Sequence, residues 1–149
     1  SFVTTPSCSF YAKEVGCLGA LVITASHNPY NWLGLKIKSF NGCSVDESFT
    51  SEVEKRLMLG NSIEKIDGVN QLVDIKKFHL DRIKSLFDID FISNRLKKMK
   101  LRIFVDSMHG SAANCMAEIF ASNDLEVISE IRKDADPFFG GKTPEPLLN

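Results

Sequence analysis

Residues 19–36, GALVITASHNPYNWLGLK, pass from an aliphatic run straight into a short polar segment, and a lysine follows the serine ten positions later. Gly19 to Thr24 is a continuous apolar stretch of strand length, the pattern of a strand buried on both faces of an α/β sheet. Thr24 to Pro29 is then the loop at the C-terminal end of that strand. It is stiffened by Pro29 and carries a hydroxyl, an imidazole and an amide on Ser26, His27 and Asn28. Leu35 to Lys38 alternates apolar and charged side chains as a half-buried or edge strand does, and Asn41-Gly42 supplies a turn after it. The polar hexapeptide TASHNP therefore sits between two strands.

Working outward, Phe2 to Thr4 reads as a short strand end. Thr5 and Pro6 supply an N-cap and a first-turn proline for a helix over about Ser7 to Val15, stopped by Gly16. Downstream, Phe49, Val53 and Leu57 recur at helical spacing between Asp46 and Gly60. From Asn61 to Lys77 the pattern weakens, and a domain boundary is placed at its end. Leu80, Ile83, Phe87, Ile92 and Leu96 predict one or two helices with a break at Asp88 to Asp90. Leu101 to Val105 predicts a strand, Asp106 to Gly110 its loop, Ala112, Met116, Ile119 and Phe120 a helix face, and Leu125 to Ile131 a further strand. That order is βαβ, hence a parallel pair. The expected fold is α/β, with three-layer α/β/α units whose sheets are mixed and mostly parallel. Residues 1–79 and 80–149 form the two units, and each reads as truncated, as if the chain began and ended mid-domain. No internal repeat is present.

The chain has 149 residues, 44% of them hydrophobic, with a formal charge of -1 and no long run of one sign. That balance gives no reason to expect nucleic acid or an anionic membrane as a partner. The longest apolar stretch, Leu18 to Ala25, is interrupted by Gly19 and too short to span a bilayer. Ser1 to Ser9 lacks the basic start and apolar core of a signal peptide, so the cytoplasm is the expected location. Cys8, Cys17, Cys43 and Cys115 show neither a CxxC pair nor a histidine at zinc-site spacing, and they read as reduced, mostly buried thiols.

A serine hydroxyl is a poor nucleophile unless a base, a metal or a cation stabilises the oxyanion it passes through. Ser26 and His27 are neighbours, and neighbours in an extended loop point apart, so they do not read as a hydrolase pair; a GxSxG elbow is also absent. What the stretch offers is a hydroxyl able to carry a phosphoryl group, with Lys36 as a point charge for its oxygens. The residues alone leave open a second reading, an Asn-Pro turn joining two strands.

GALVITASHNPYNWLGLK resembles the active-site serine loop of the α-D-phosphohexomutases, the phosphoglucomutase and phosphomannomutase family, in its small-residue strand, its T-A-S-H-N-P and its Gly-x-Lys. VTTPS upstream is similar to that family's Thr-Pro segment. IFVDSMHGSA and DADPFFGGKTPEP are similar to the opening strand-loop and a later loop of its second domain. The resemblance covers nearly the whole chain. It implies the C-terminal part of the first domain over 1–79, then linker helices and the N-terminal part of the second over 80–149. It further implies an isomerase that interconverts hexose 1-phosphate and hexose 6-phosphate through hexose 1,6-bisphosphate. Ser26 then falls on the phosphorylated serine. His27 and Asn28 fall on positions that hold phosphate or substrate oxygens, and Lys36 on the lysine beside the phosphoserine. The different class of reading is a non-catalytic sugar-phosphate binding module of the same fold.

The family usually has Asn before the Gly-x-Lys where this chain has Leu33, so the contact of that amide is missing or falls to another residue such as Asn31. The resemblance implies magnesium, with Ser26 as a ligand through its phosphate. The aspartate loop D-G-D-x-D that holds the ion is not among these residues and is expected beyond Asn149; Asp134-Ala135-Asp136 reads instead as a solvated turn. The sugar-selecting and distal phosphate loops are also missing, so these residues alone are expected to be inactive. His109 is read as a structural loop histidine, His79 as a surface helix residue, and Arg95, Lys97, Lys98, Lys100 and Arg102 as solvated charges. Tyr30 and Trp32 are expected to pack the serine turn against its own domain.

Overall fold

Thr4 opens the first helix. Its side chain accepts from the Ser7 N–H at 3.3 Å while its own backbone stays extended, and α1 then runs over Thr5–Glu14 with Pro6 in its first turn. The cap is thus Thr4 rather than Thr5, and the described residues before it form no strand. The structure, a computed structural model, describes residues 2–60, 67–120 and 127–145. After α1 the elements are β1 Gly19–Ile23, β2 Leu35–Ser39, α2 Glu47–Met58, α3 Ile75–Leu86, α4 Ile89–Lys98, β3 Ile103–Asp106, α5 Cys115–Phe120, β4 Ile128–Ile131 and a single 3₁₀ turn at Phe139–Gly141. Asp46, Asp74 and Asp88 cap α2, α3 and α4, each accepting a backbone N–H three residues on. The break between α3 and α4 falls at Phe87 and Asp88, ahead of the expected Asp88 to Asp90, because Asp88 caps α4 and Ile89 and Asp90 already belong to it. Positions 125 and 126, the first two of the last predicted strand, lie outside the described residues, as do 61–66 in the segment read as the approach to a boundary.

β1 and β2 pair antiparallel, with Val22 opposite Lys36 and Ile23 opposite Leu35, while β3 and β4 pair parallel, with Asp106 opposite Ile131. The βαβ reading of β3, α5 and β4 holds. Among the described residues one two-stranded sheet is antiparallel and the other parallel, so neither "mixed" nor "mostly parallel" describes them. Nor is β1 buried on both faces. Val22 is buried, whereas Leu21 and Ile23 are 70% and 73% exposed, because alternate side chains of a strand point to opposite faces and α1 covers one of them.

The core gathers Leu80 from α3, Ile119 and Phe120 from α5, Val127 just ahead of β4 and Ile128 at its start, with Ile83, Ile92, Leu96 and Met116 around it. α3 also reaches back to α1, where Phe78 meets Phe10 at 5.7 Å and Tyr11 at 5.1 Å. It therefore packs on elements from both halves of the chain, and the expected boundary between residues 79 and 80 falls inside this helix. His79 is not a surface residue of that helix facing water alone. Its Nδ1 lies 2.6 Å from the Ser7 hydroxyl, and its ring lies 5.2 Å from Phe10. Cys8, Cys17 and Cys115 are half-buried free thiols and Cys43 is exposed; burial raises the pKa of Cys8 and of Cys115, which keeps both protonated at neutral pH. Among the described residues no helix is long and apolar enough to cross a membrane.

Leu80 fills the junction of α3 and α5 and is 5% exposed, while Leu72 is fully exposed. Leu80→Ala is expected to destabilise the protein by about 2–5 kcal/mol through lost burial and a residual cavity. Leu72→Ala is expected to stay within about 0.5 kcal/mol. Denaturant midpoints of the two variants check the difference.

Candidate active site

Thr24 leaves β1 and donates its N–H to the Gly34 carbonyl at 2.9 Å, one step past the last ladder pair, which closes the base of the loop between the strands. The approach is tight. A Cβ on Gly34 would stand 2.9 Å from the Thr24 carbonyl oxygen, so glycine is required there by space. Within the loop, the Thr24 hydroxyl accepts the Ser26 N–H at 2.9 Å. The Ala25 carbonyl accepts both the backbone N–H of Asn28 at 3.0 Å and its side-chain N–H at 2.9 Å. These bonds hold Ser26 at φ 57°, a left-handed conformation uncommon for a residue with a Cβ. A strained backbone held by surrounding bonds is a frequent property of functional turns.

Ser26, Asn28 and Lys36 line one cavity of about 250 Å³, open to solvent, with Trp32 and Leu33 on its rim. Lys36 reaches it from β2, beside Val22. Lys38 lies two residues on along the same strand and does not line the cavity; its Nζ donates to the Ser44 hydroxyl at 2.9 Å. Asn28 already uses one N–H of its amide on Ala25, leaving the other for a ligand. His27 does not line the cavity. Its Nε2 lies 3.5 Å from Glu145 Oε2, an exposed pairing worth about 0–1 kcal/mol. Leu33 is 80% exposed where the family has an amide, and Asn31 does not line the cavity either.

The aromatic residues depart from expectation. Tyr30 meets Phe138, in the other half of the chain, edge-on at 4.9 Å, and Trp32 stays largely exposed on the cavity rim. His109 is tied into its loop: its Nδ1–H donates to the Asp134 carbonyl at 2.7 Å and its backbone N–H to the Arg132 carbonyl at 2.6 Å. Asp136 is more than a solvated turn residue. Its carboxylate accepts the N–H groups of Phe138 and Gly140, each at 2.8 Å, and those bonds hold its pKa below the usual carboxylate value. The basic residues Lys97, Lys98, Lys100 and Arg102 are exposed and Arg95 is exposed beside them; Arg102 also donates to Ser129 at 2.6 Å and lies over the Phe104 ring.

Among the described residues no group of three His, Cys, Asp or Glu side chains is placed to hold a metal ion. The cavity offers the hydroxyls of Thr24 and Ser26, an amide and an ammonium but no carboxylate, so these residues do not by themselves form a magnesium site. What the arrangement does fit is a phosphoryl group on Ser26. Such a group brings about two negative charges and three acceptor oxygens, and Lys36 and Asn28 line the same space.

Residues 1–62 match the family model for the phosphoglucomutase/phosphomannomutase α/β/α domain I. The chain is 28% identical to a phosphoglucomutase of Staphylococcus haemolyticus, covering 93% of this chain and 26% of that protein. It is 31% identical to a phosphoglucosamine mutase of Prochlorococcus marinus over 83% of this chain and 27% of that protein. A solved structure described as a phosphomannomutase from Thermus thermophilus superposes with a TM-score of 0.78 at 27% identity, over 97% of this chain and 32% of that one. A phosphoglucomutase of Paramecium, parafusin, shares the fold with a TM-score of 0.75 at 22% identity, over 99% of this chain and 32% of that one. The chain thus spans about a quarter to a third of the length of these relatives.

Gly34→Ala is expected to push the Thr24 carbonyl away from β2 and to cost about 1–3 kcal/mol, as overpacking does, with the greater effect on any activity of the Ser26 cavity. Comparing its denaturant midpoint with its turnover in the full-length protein checks this. A pH test follows from Asp106. Arg132 donates to that carboxylate from Nε at 2.7 Å and Nη2 at 2.5 Å, which holds its pKa below the usual 3.8. A depressed folded pKa contributes stability above the unfolded value and loses it as pH falls through the folded one. Asp106→Asn is therefore expected to lower the denaturant midpoint at neutral pH, and the gap to wild type is expected to narrow as pH falls below 3.8.

The family model over residues 1–62, relatives aligned over 83–93% of the chain, and the superposition on the phosphomannomutase structure agree with one another: the chain belongs to the phosphoglucomutase/phosphomannomutase family.

Proposed function

We propose that this chain supplies the phosphoserine loop of a phosphohexomutase that interconverts hexose 1-phosphate and hexose 6-phosphate. Ser26 passes its phosphoryl group to the free hydroxyl of the hexose monophosphate, forming hexose 1,6-bisphosphate. It then takes the other phosphoryl group back. Each transfer exchanges a phosphoryl group and a proton between the Ser26 oxygen and a sugar oxygen, so the cycle consumes neither phosphate nor an oxidant. Phosphoryl transfer is catalysed mainly by positioning and charge neutralisation. Lys36 supplies the charge and the Thr24, Ala25 and Asn28 bonds supply the positioning. Asn28 holds a phosphate oxygen with its remaining N–H, while His27, turned toward Glu145, acts from outside the cavity.

The observation that carries the reading is the convergence of Ser26 and Lys36 on one open cavity, with Ser26 held in a left-handed turn. Residues 1–79 would then close the first domain and 80–149 open the second. In the whole protein, magnesium would take carboxylates from residues outside this chain and the phosphate on Ser26, and no step here is routed through it. Turnover needs those further loops, so the 149 residues alone are expected to be inactive. The charge balance favours neither a nucleic-acid nor a membrane partner, and the cytoplasm is the proposed location.

In full-length protein purified from cells, peptide mass spectrometry is expected to find phosphate on Ser26. Lys36→Met keeps most of the stem and removes the cation, and is expected to lower kcat about a hundredfold to a thousandfold, as losing one electrostatic stabiliser does. Lys38→Met, outside the cavity, is expected to change it far less. A Ser26 that is always bare, or equal losses at both lysines, would overturn the assignment. Retained phosphate or sugar-phosphate binding without turnover in the full-length protein would favour the binding module instead.

A further inference from the structure

Two contacts of different kinds tie the serine loop to the segment after β4. His27 Nε2 faces Glu145 Oε2 at 3.5 Å, and the Tyr30 ring meets Phe138 edge-on at 4.9 Å. His27 and Tyr30 flank Asn28 and Pro29, so the contacts grip both shoulders of the turn that presents Ser26. The gripping segment is itself anchored. Arg132 chelates the Asp106 carboxylate at the end of β3, and His109 donates to the Asp134 carbonyl. Asp136 ties Phe138 and Gly140 in place. Polar contacts thus tie residues 132–140 to the end of the parallel ladder and to one another, and Glu145 lies five residues further on. The His27 side chain is 61% exposed and that of Glu145 29%. A polar contact so exposed adds little to folding, and what it sets is direction.

We propose that Glu145 is a positioning residue for Ser26: acting through His27, and with Phe138 against Tyr30, it fixes the direction in which the turn presents the serine oxygen. This rests on reading Ser26 as the phosphoryl carrier. It gives His27 a role pointing away from the cavity, toward the 132–145 segment, and it makes part of the family's P-E-P stretch a support for the serine loop.

The test is a double-mutant cycle in the full-length protein, with glucose 1-phosphate as substrate and the 1,6-bisphosphate as activator. Glu145→Ala is expected to lower kcat about tenfold, the scale of a small misplacement of a reacting group, with KM within about twofold and an unchanged melting temperature. His27→Ala is expected to lower kcat at least as much, and the double variant is expected to match His27→Ala alone, because Glu145 acts through that ring. Losses that multiply in the double variant, or a loss in Glu145→Ala matched by a fall in melting temperature, would overturn the proposal while Ser26 still carries phosphate. A wild-type Ser26 that never carries phosphate would overturn the phosphoserine reading and this inference together, and the phosphopeptide mass separates the two failures.

Discussion

Thr24 and Gly34 meet through one backbone hydrogen bond of 2.9 Å at the foot of the serine loop. The ladder between β1 and β2 ends there, and every residue of TASHNP takes its direction from that point. The bond sets how far apart the strands stand where the loop begins, and the missing Cβ of Gly34 lets them stand that close. Above it, the Thr24 hydroxyl and the Ala25 carbonyl fold the chain back on itself, so that Ser26 is held left-handed over the cavity that Lys36 enters from the opposite strand. Chemistry that depends on placing a charge beside an oxygen needs this kind of backbone rigidity more than it needs a reactive side chain.

Much of this is legible in the amino-acid sequence. Local signals mark the elements: Phe49, Val53 and Leu57 mark α2, and Leu80, Ile119 and Phe120, which recur at helical spacing, are core. The serine, its neighbours and the lysine can be read together because they lie close along the chain and the strand pairing is a hairpin. What escapes is long-range. An apolar run such as GALVI cannot say which of its faces is covered, and Leu21 and Ile23 are exposed. His79 looks like any helix-surface histidine, because Ser7 and Phe10, its partners, are far away along the chain. Tyr30 gives no sign of Phe138 for the same reason. Glu145 and Asp106 carry no local signal for their contacts, since an ion pair leaves no periodicity in the sequence.

The two ladders play unequal parts. The antiparallel pair carries the residues that would do chemistry, yet its outer face is exposed among the described residues and its inner face rests mainly on α1. The parallel pair carries no candidate catalytic group but sits beside the buried cluster of Leu80, Ile119, Phe120, Val127 and Ile128. α3 connects them, with its aromatic and histidine side chains on α1 and Leu80 in that cluster. The better-packed part thus acts as the base from which the less-packed part is held.

The hairpin connection has a consequence for the order in which the chain acquires its parts. β1 and β2 are joined directly by the serine loop, so closing that ladder costs only the entropy of a short loop and needs nothing from α5 or β4. The contacts of His27 and Tyr30, by contrast, span most of the length of the chain and must await the parallel ladder, whose non-local pairing is intrinsically slower. The turn around Ser26 can therefore take shape early as a local structure, and it acquires a fixed orientation only when the last part of the chain arrives.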